Sequence, residues 1–274
     1  MSRKKGVGMK AELKKIVEDN ILAYYKSIAR LLEGEFIESD NVSWYNTGRK
    51  SHFRFNGVVR TTPSADDLSK VVDPILEVFT TQELPFFWAD WKDGDTPGLG
   101  DYLRSKKLSF RYLPGIPAMT RELKSIPELT LPEDVEVVQV QTNKHQADWL
   151  TVMMEGFQEP EPARPDIQQF VSNSLTEENP IFDHFLAYWQ GTPCAVSTLL
   201  HASLAAGIYN VATIAPYCGR GLGRGMTLKA MQSAQESGYS FSMLFATPSG
   251  FPVYKRLGFE AISAADIYIW NGNS

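Results

Sequence analysis

Cysteine is scarce in this sequence, with 2 among 274 residues. Cys194 and Cys218 fall in different predicted elements and lack the spacing of metal ligands, which argues against a disulfide scaffold. A reducing compartment suits this composition, so we expect a cytoplasmic protein. Asp90, Asp93 and Asp95 are spaced like metal ligands, but the glycine is in the wrong place for an EF-hand loop. We therefore predict a polar turn there and no metal site.

Long apolar runs and excess positive charge are also missing. The most apolar region, residues 195–214, contains His201 and Asn210 and is broken by Gly207, so we predict no membrane contact. The first six residues have no apolar segment behind them, which predicts a solvated tail and no secretory signal. With 27 basic against 32 acidic residues the net charge is −5, which argues against nucleic-acid binding.

Near residue 220, by contrast, glycine is concentrated. A strand-like segment is followed by glycines at alternate positions, and a helical pattern runs from 226 to 236. Glycine reaches backbone conformations that other residues avoid, and free N–H groups at a helix start attract an anion. We predict that this loop binds a phosphate or pyrophosphate. The predicted residues are Gly219, Arg220, Gly221, Leu222, Gly223, Arg224 and Gly225.

Spacing separates the known kinds of glycine loop. A Walker loop ends in Gly-Lys-Ser/Thr, whereas Gly225 is followed by Met226. The dinucleotide fingerprint G-x-G-x-x-G would need its third glycine at Arg224 or Met226, depending on where it starts. Both kinds are therefore excluded.

The segment from Cys218 to Gly223 resembles the acetyl-CoA loop of the GNAT N-acetyltransferase superfamily, written Q/R-x-x-G-x-G/A, with cysteine in the first position. A second signature of that family, Y-x-x-x-G-F after a buried strand, is similar to the run from Tyr254 to Phe259. The resemblance implies acetyl-CoA as the cofactor, with its pyrophosphate in the loop. Beyond the loop it implies contacts from the backbone of Val211, Ala212 and Thr213 and from Ser249, where the family often has asparagine.

The chemistry implied by the resemblance is transfer of an acetyl group to an amine, on a small molecule or a peptide. A backbone N–H near Thr213 would stabilise the oxyanion, and Tyr254 would protonate the departing thiolate. The strand before the loop lacks the glutamate that many relatives use as the base. An alternative is a module that binds acyl-CoA without turnover, and the oligomeric state stays open. The weak candidates for a general base are Glu155, Glu159, Glu161, His184 and His201.

Element order extends the prediction to the whole chain. Residues 135–270 follow the order β-α-α-β-β-β-α-β-α-β, which is the order of the GNAT fold. We expect an α/β (α+β) protein with a mixed, mostly antiparallel sheet flanked by helices. The predicted domains are a degenerate GNAT-like domain at 1–121, a linker at 122–134 and the acetyl-CoA-binding domain at 135–274.

A second set of elements is predicted in the N-terminal half. Helices are expected at 11–32, 64–79 and near 100–107, with strands around 36–45, 53–61 and 84–88. Phe110 and its surroundings resemble Phe259 and its surroundings, which suggests a tandem arrangement. The counterpart of the glycine loop, residues 60–67, has no glycine and two acids, so we expect this half to bind no cofactor. The alternative is an unrelated α/β cap.

Overall fold

The computed structural model describes residues 2–94, 96–178 and 180–272, with residues 2–10 and 65 described by their backbone alone. The helices are α1 (Ser2–Leu31), α2 (Leu68–Thr81), α3 (Leu99–Ser105), α4 (Asn143–Phe157), α5 (Arg164–Leu175), α6 (Leu222–Glu236) and α7 (Phe251–Arg256). The first strands are β1 (Glu35–Glu38), β2 (Val42–Asn46), β3 (Asn56–Thr61), β4 (Phe86–Trp91), β5 (Arg111–Glu122) and β6 (Val135–Gln139). The remaining strands are β7 (Phe182–Trp189), β8 (Thr192–His201), β9 (Ala206–Thr213), β10 (Phe241–Phe245) and β11 (Glu260–Trp270).

The chain folds into two compact units that interleave in sequence. The glycine-loop unit contains Met1–Asn20 and Ala118–Ile262, and the N-terminal unit contains Ile21–Pro117 and Ser263–Ser274. A single cut near residue 121 therefore misassigns both ends of the chain. The first twenty residues belong to the later unit, and the last strand belongs to the earlier one. The opening residues, predicted as a solvated tail, form the first turns of α1, which begins at Ser2.

The sheet of the glycine-loop unit has the strand order β5-β10-β9-β8-β7-β6, with residues 118–122 of β5 at one side. β9 and β10 run parallel, joined by α6, and the other neighbours are antiparallel. Ser197 donates a hydrogen bond to the carbonyl of Met226 in α6, whereas Thr198 bonds to His184, which contacts Ser174 in α5. Because consecutive strand residues point to opposite faces, α6 covers one face and α5 the other.

The sheet of the N-terminal unit has the order β1-β2-β3-β4-β11. The single strand predicted around 36–45 is a hairpin of β1 and β2, while β3 and β4 run parallel and are joined by α2. β11 pairs antiparallel with β4, from Ala265 opposite Trp91 to Trp270 opposite Phe86. Its apolar core is built from α2, α3 and the inner faces of these strands. Core members include Val58, Val72, Leu76, Phe79, Phe86, Trp88, Leu103, Tyr268 and Trp270.

The same substructure recurs in both units, a parallel strand pair joined by one helix. Gly57 pairs with Phe87 in the β3–β4 ladder, and Gly207 pairs with Met243 in the β9–β10 ladder. Gly57 is in the first pair of its ladder, and Gly207 is in the second pair of its ladder. The predicted element order over 135–270 is confirmed by the observed series from β6 to β11.

The segment predicted as a linker is packed along α6. Residues 123–134 form no helix or strand, but Leu123 is buried and its carbonyl accepts a hydrogen bond of 2.6 Å from Gln235. Thr130 meets Arg224 at 3.4 Å, and Leu131 lies where a side chain on Gly225 would project. This strap (residues 123–134) therefore belongs to the glycine-loop unit. None of the described helices is long and apolar enough to cross a membrane.

Candidate functional site

The glycine loop turns directly into α6. The helix begins at Leu222, four residues before the predicted start, so Gly223 and Gly225 lie in its first turn. Gly219 has φ +77° and Gly221, the N-cap, has φ +84°, which are left-handed conformations that favour glycine. No atom lies within 4 Å of a Cβ built at either position. These two glycines are therefore needed for backbone conformation, not for close packing.

The loop presents a continuous row of unengaged backbone donors. The Cys218 amide donates to the Ala215 carbonyl, and the Gly225 amide donates to Gly221 at 2.9 Å. Between them, the amides of residues 219–224 donate no hydrogen bond within the part of the chain that the structure describes. Six consecutive N–H groups at the positive end of a 15-residue helix form a site for an anion.

The side chains of the predicted loop residues divide into three kinds. Arg220 is exposed, and Arg224 is half-buried with its guanidinium near Thr130. Leu222 is 1% exposed, so only its backbone is available to a ligand. The prediction of a cofactor contact at Gly225 needs correction. Its amide is used inside the helix and Leu131 fills the space beside its Cα, so this glycine serves packing.

β9 has an open edge beside the loop. It pairs with β10 only from Ala206 to Ile208, although it continues to Thr213. The Ile214 amide donates to the Cys194 carbonyl on β8 at 3.0 Å. Because antiparallel ladders alternate, Ala212 also directs its backbone groups to β8, whereas the Thr213 N–H faces the open edge. Of the predicted backbone contacts, Val211 and Thr213 are thus available to a ligand and Ala212 is not.

A β-bulge interrupts the pairing of β9 with β8. The register with β8 shifts between Val196 and Thr198, and Asn210 has φ +52°. The bulge explains why Tyr209 and Ala212 face the same side of the sheet although they are three positions apart, an odd number. Asparagine tolerates a left-handed conformation better than most residues do.

Gly156, near the end of α4, was not singled out from the sequence. A Cβ there would come within 2.8 Å of the Ala212 Cβ and 3.5 Å of the Thr213 amide nitrogen. The absence of a side chain therefore lets α4 approach the end of β9. On the opposite face, the Thr213 hydroxyl lies 4.0 Å from the position of a Cβ on Gly223. β9, α4 and the start of α6 thus converge at Thr213.

Tyr254 lies on α7, which packs against α6. Its side chain is 8% exposed and its ring meets Phe259 edge to face. Burial raises the pKa of the Tyr254 phenol to about 12, so the hydroxyl keeps its proton at neutral pH. That hydroxyl has no hydrogen-bond partner among the described residues. Ser249, just before α7, is exposed and its hydroxyl is 3.1 Å from that of Thr247.

The structure also shows the surroundings of the two histidines that were candidates for a general base. His184 is fully buried between Ser174 and Thr198, at 2.9 Å from each, and burial lowers its pKa to about 3. It therefore stays neutral and is too weak a base near pH 7. His201 bonds to Asp183 at 2.9 Å.

The acidic candidates are the glutamates near the end of α4 and the aspartates near residue 90. Glu161 forms an exposed ion pair with Arg164, and Glu155 is exposed. No described group of three or more His, Cys, Asp or Glu side chains is arranged to hold a metal ion. Asp95 lies outside the described residues.

In the N-terminal unit, the corresponding gap between parallel strands is closed by side chains. The Trp91 indole N–H donates to the Val59 carbonyl and the Trp88 indole N–H donates to the Thr61 hydroxyl, both at 2.9 Å. Thr96 donates to the Thr61 carbonyl at 2.6 Å. Among the described residues of the N-terminal unit, the open strand edge of the glycine-loop unit therefore has no equivalent.

The segment before α2 likewise differs from the glycine loop. Asp67 occupies the N-cap position, where it bonds to Ser64 and Lys70. A carboxylate at this place repels an anion, and the preceding short helix of residues 65–67 contains no glycine.

Residues 138–262 match the family model described as an acetyltransferase (GNAT) domain. This part of the chain is a GNAT acetyltransferase domain. The match covers both the glycine loop and Tyr254. No relative was found among curated protein sequences.

Solved structures extend the likeness to nearly the whole fold. The chain is similar to a GCN5-related N-acetyltransferase from Kribbella flavida, with TM-score 0.69, 16% identity, and 92% of this chain and 96% of that chain covered. A functionally unknown conserved protein from Staphylococcus epidermidis ATCC 12228 gives TM-score 0.67 at 15% identity, covering 88% and 96%. A tandem GNAT protein from the clavulanic acid biosynthesis pathway gives 0.55 at 10%, covering 85% and 79%. The fold is thus the GNAT fold.

Proposed function

We propose that the protein is an acetyl-CoA-dependent N-acetyltransferase that acts on an amine of a small molecule or peptide. The observation that carries this proposal is the row of unengaged amides from Gly219 to Arg224. A pyrophosphate offers several acceptor oxygens and negative charge to such a row. Arg220 and Arg224 add positive charge at the same place.

Thr213 and Tyr254 have separate roles in the proposed reaction. Acetyl-CoA supplies a thioester whose carbonyl carbon the acceptor nitrogen attacks. The Thr213 N–H, at the open edge of β9, donates to the carbonyl oxygen as it becomes negative. As the carbon–sulfur bond breaks, the Tyr254 hydroxyl passes its proton to sulfur and is reprotonated by water. An amine that arrives neutral becomes positively charged when its nitrogen bonds to the carbonyl carbon. It then loses one proton to solvent, so no buried base is required.

We propose further that the N-terminal unit is a degenerate GNAT-like unit without cofactor. The indole groups of Trp88 and Trp91 occupy its strand gap, and Asp67 replaces the glycine N-cap. Both observations favour a unit that retains the fold and has lost the anion site. We expect the whole protein to work in the cytoplasm, on neither nucleic acid nor membranes.

The first test is calorimetric titration of the full chain with acetyl-CoA, using NAD and ATP as controls. Selective binding at micromolar concentration supports the proposed cofactor, and thiol release with a panel of amines then tests turnover. Binding without thiol release for any amine would favour a non-catalytic acyl-CoA-binding module. Absence of binding by the folded protein would overturn the proposal.

A further inference from the structure

Arg220 lies on an aromatic platform beside the glycine loop. Its guanidinium carbon is 5.1 Å from the ring centre of Trp189 and 5.7 Å from that of Tyr217. The two rings are 5.8 Å apart and inclined by 41°. Arg220 forms no ion pair with an acidic side chain in the described residues. Its charge is thus held by ring faces, which leave the N–H groups available to an anion.

Both rings are anchored by rigid backbone. Trp189 ends β7, where it pairs with Val135 on β6 and Thr192 on β8. The next two residues, Gln190 and Gly191, both have positive φ and form a tight two-residue turn. The backbone of Trp189 is therefore held by strand pairing on both sides and by the turn that follows it.

Tyr217 belongs to the short helix 215–217 that joins β9 to the loop. Its amide donates to the Ile214 carbonyl at 3.0 Å, so its backbone is also tied to the end of β9. Of the three side chains, that of Arg220 has the most rotatable bonds and therefore the most rotamer entropy to lose on binding. Contacts that restrict it beforehand lower the entropic cost of engaging a ligand.

We infer that Trp189 and Tyr217 are positioning residues that hold Arg220 as a preset cation for the phosphates of acyl-CoA. The inference rests on the proposed function and adds a recognition element outside the glycine signature. Arg224 provides the contrast, because its guanidinium lies against Thr130 of the strap and on neither ring. The platform gives Arg220 a place next to the unengaged amides before the ligand arrives.

A double-mutant cycle on acetyl-CoA affinity tests this inference. The variants are Trp189→Leu, Trp189→Phe, Arg220→Ala and the double variant Trp189→Leu/Arg220→Ala, each titrated by calorimetry after its fold is checked by circular dichroism. Trp189→Leu is expected to weaken binding roughly two- to fivefold, the size of an exposed cation–π contact. Trp189→Phe keeps a ring face and should recover most of the loss. In the Arg220→Ala background, Trp189→Leu should cost nothing more.

Lys229 supplies a matched control, because it is a cation of α6 that lies over the Phe185 ring, at 5.5 Å from its centre. Lys229→Ala should leave the affinity for acetyl-CoA nearly unchanged, and its effect should add to that of Trp189→Leu. An equal cost of Trp189→Leu with and without Arg220 would overturn the inference, as would an unchanged affinity in both single variants. If the wild-type chain fails to bind acetyl-CoA at all, the proposed function fails as well. If Gly221→Val abolishes binding while Trp189→Leu and Arg220→Ala both bind as tightly as the wild type, the loop assignment survives and the platform does not.

Discussion

The Tyr209 hydroxyl donates a hydrogen bond of 2.9 Å to the side-chain oxygen of Asn20, across a separation of 189 residues. The Asn20 amide group in turn donates to the Ala205 carbonyl at 2.8 Å, and Asn20 itself is 0% exposed. A Cβ on Gly207 would collide with Asn20, so the glycine makes room for it. One polar side chain of α1 thus ties the first twenty residues to β9.

Asn20→Ala should destabilise the glycine-loop unit by about 1–3 kcal/mol, because it leaves the Ala205 carbonyl buried without a donor. Asp19→Ala is the control: Asp19 bonds to Ser203 and Leu204 at the exposed end of the same turn. Its loss should cost less than about 1 kcal/mol. Urea denaturation monitored by circular dichroism compares the two variants. Equal losses of unfolding free energy in the two variants would contradict the prediction that the buried hydrogen bonds of Asn20 contribute more than the exposed ones of Asp19.

Gly221→Val should abolish acetyl-CoA binding and leave the protein folded. Valine strains a backbone at φ +84° by about 1–3 kcal/mol and places a branched side chain in front of the amides. Gly238→Val is the matched control, since Gly238 follows the other end of α6 at φ +85° and its amide already bonds to Gln235. Both variants should lose similar stability, whereas only the first should lose affinity in a calorimetric titration. Retained binding in Gly221→Val would remove the loop from the site.

Tyr254→Phe should preserve acetyl-CoA binding and lower turnover by roughly 100-fold, the lower end of what a positioned proton donor contributes. Since the pKa of Tyr254 is raised to about 12, the active protonated form persists through pH 10. Wild-type turnover should therefore show no alkaline loss caused by this residue below that pH. Thiol release at a series of pH values, with an amine found in the screen, measures both effects. An undiminished rate in Tyr254→Phe would reduce this tyrosine to packing.

Acid should destabilise the glycine-loop unit through His184. The pKa of His184 is lowered from 6.5 to about 3 in the folded state, so below pH 6.5 the unfolded chain binds the proton that the folded one refuses. Stability therefore falls as the pH drops from about 6.5 towards 3, by up to on the order of 4 kcal/mol. Unfolding free energies of wild type and His184→Gln across this range provide the measurement. Identical pH profiles would contradict the prediction.

Acetyl-CoA should bind with a stoichiometry of one per chain. The N-terminal unit lacks both the open strand edge and the glycine N-cap, because Trp91 and Asp67 occupy the corresponding places. Calorimetry gives the stoichiometry directly, and Gly221→Val should bring it to zero. A second site that survives in Gly221→Val would show that the N-terminal unit still binds the cofactor.

Local patterns in the sequence were enough to predict most of the later half. The order of helices and strands predicted over residues 135–270 is the observed one, because glycine, proline and polar residues bound compact apolar runs. In the N-terminal unit, Trp88 belongs to the apolar core and Trp44 packs against it. The sequence predicts one strand where the structure has the hairpin β1–β2, because only three residues separate the two strands.

Features that depend on distant residues had no local signal. The helix α6 starts at Leu222 although glycines predict a loop there, because Gly225 must lie against Leu131 and tertiary packing outweighs helix propensity. Asn20 occupies a polar position in an amphipathic helix and is indistinguishable from a surface residue in sequence. The platform of Trp189 and Tyr217 under Arg220 joins residues from two separate turns, so neither ring can be assigned from its neighbours.

The placement of β11 has a consequence for synthesis. Residues 21–117 leave the ribosome early, yet the sheet they form lacks its last strand until residues 263–270 emerge, and Tyr268 and Trp270 belong to its core. The glycine-loop unit holds all of its residues once Ile262 has been added. The half that is translated first is therefore completed last. A chain released before residue 263 holds every residue of the glycine-loop unit, whereas β4 of the N-terminal unit lacks its β11 partner.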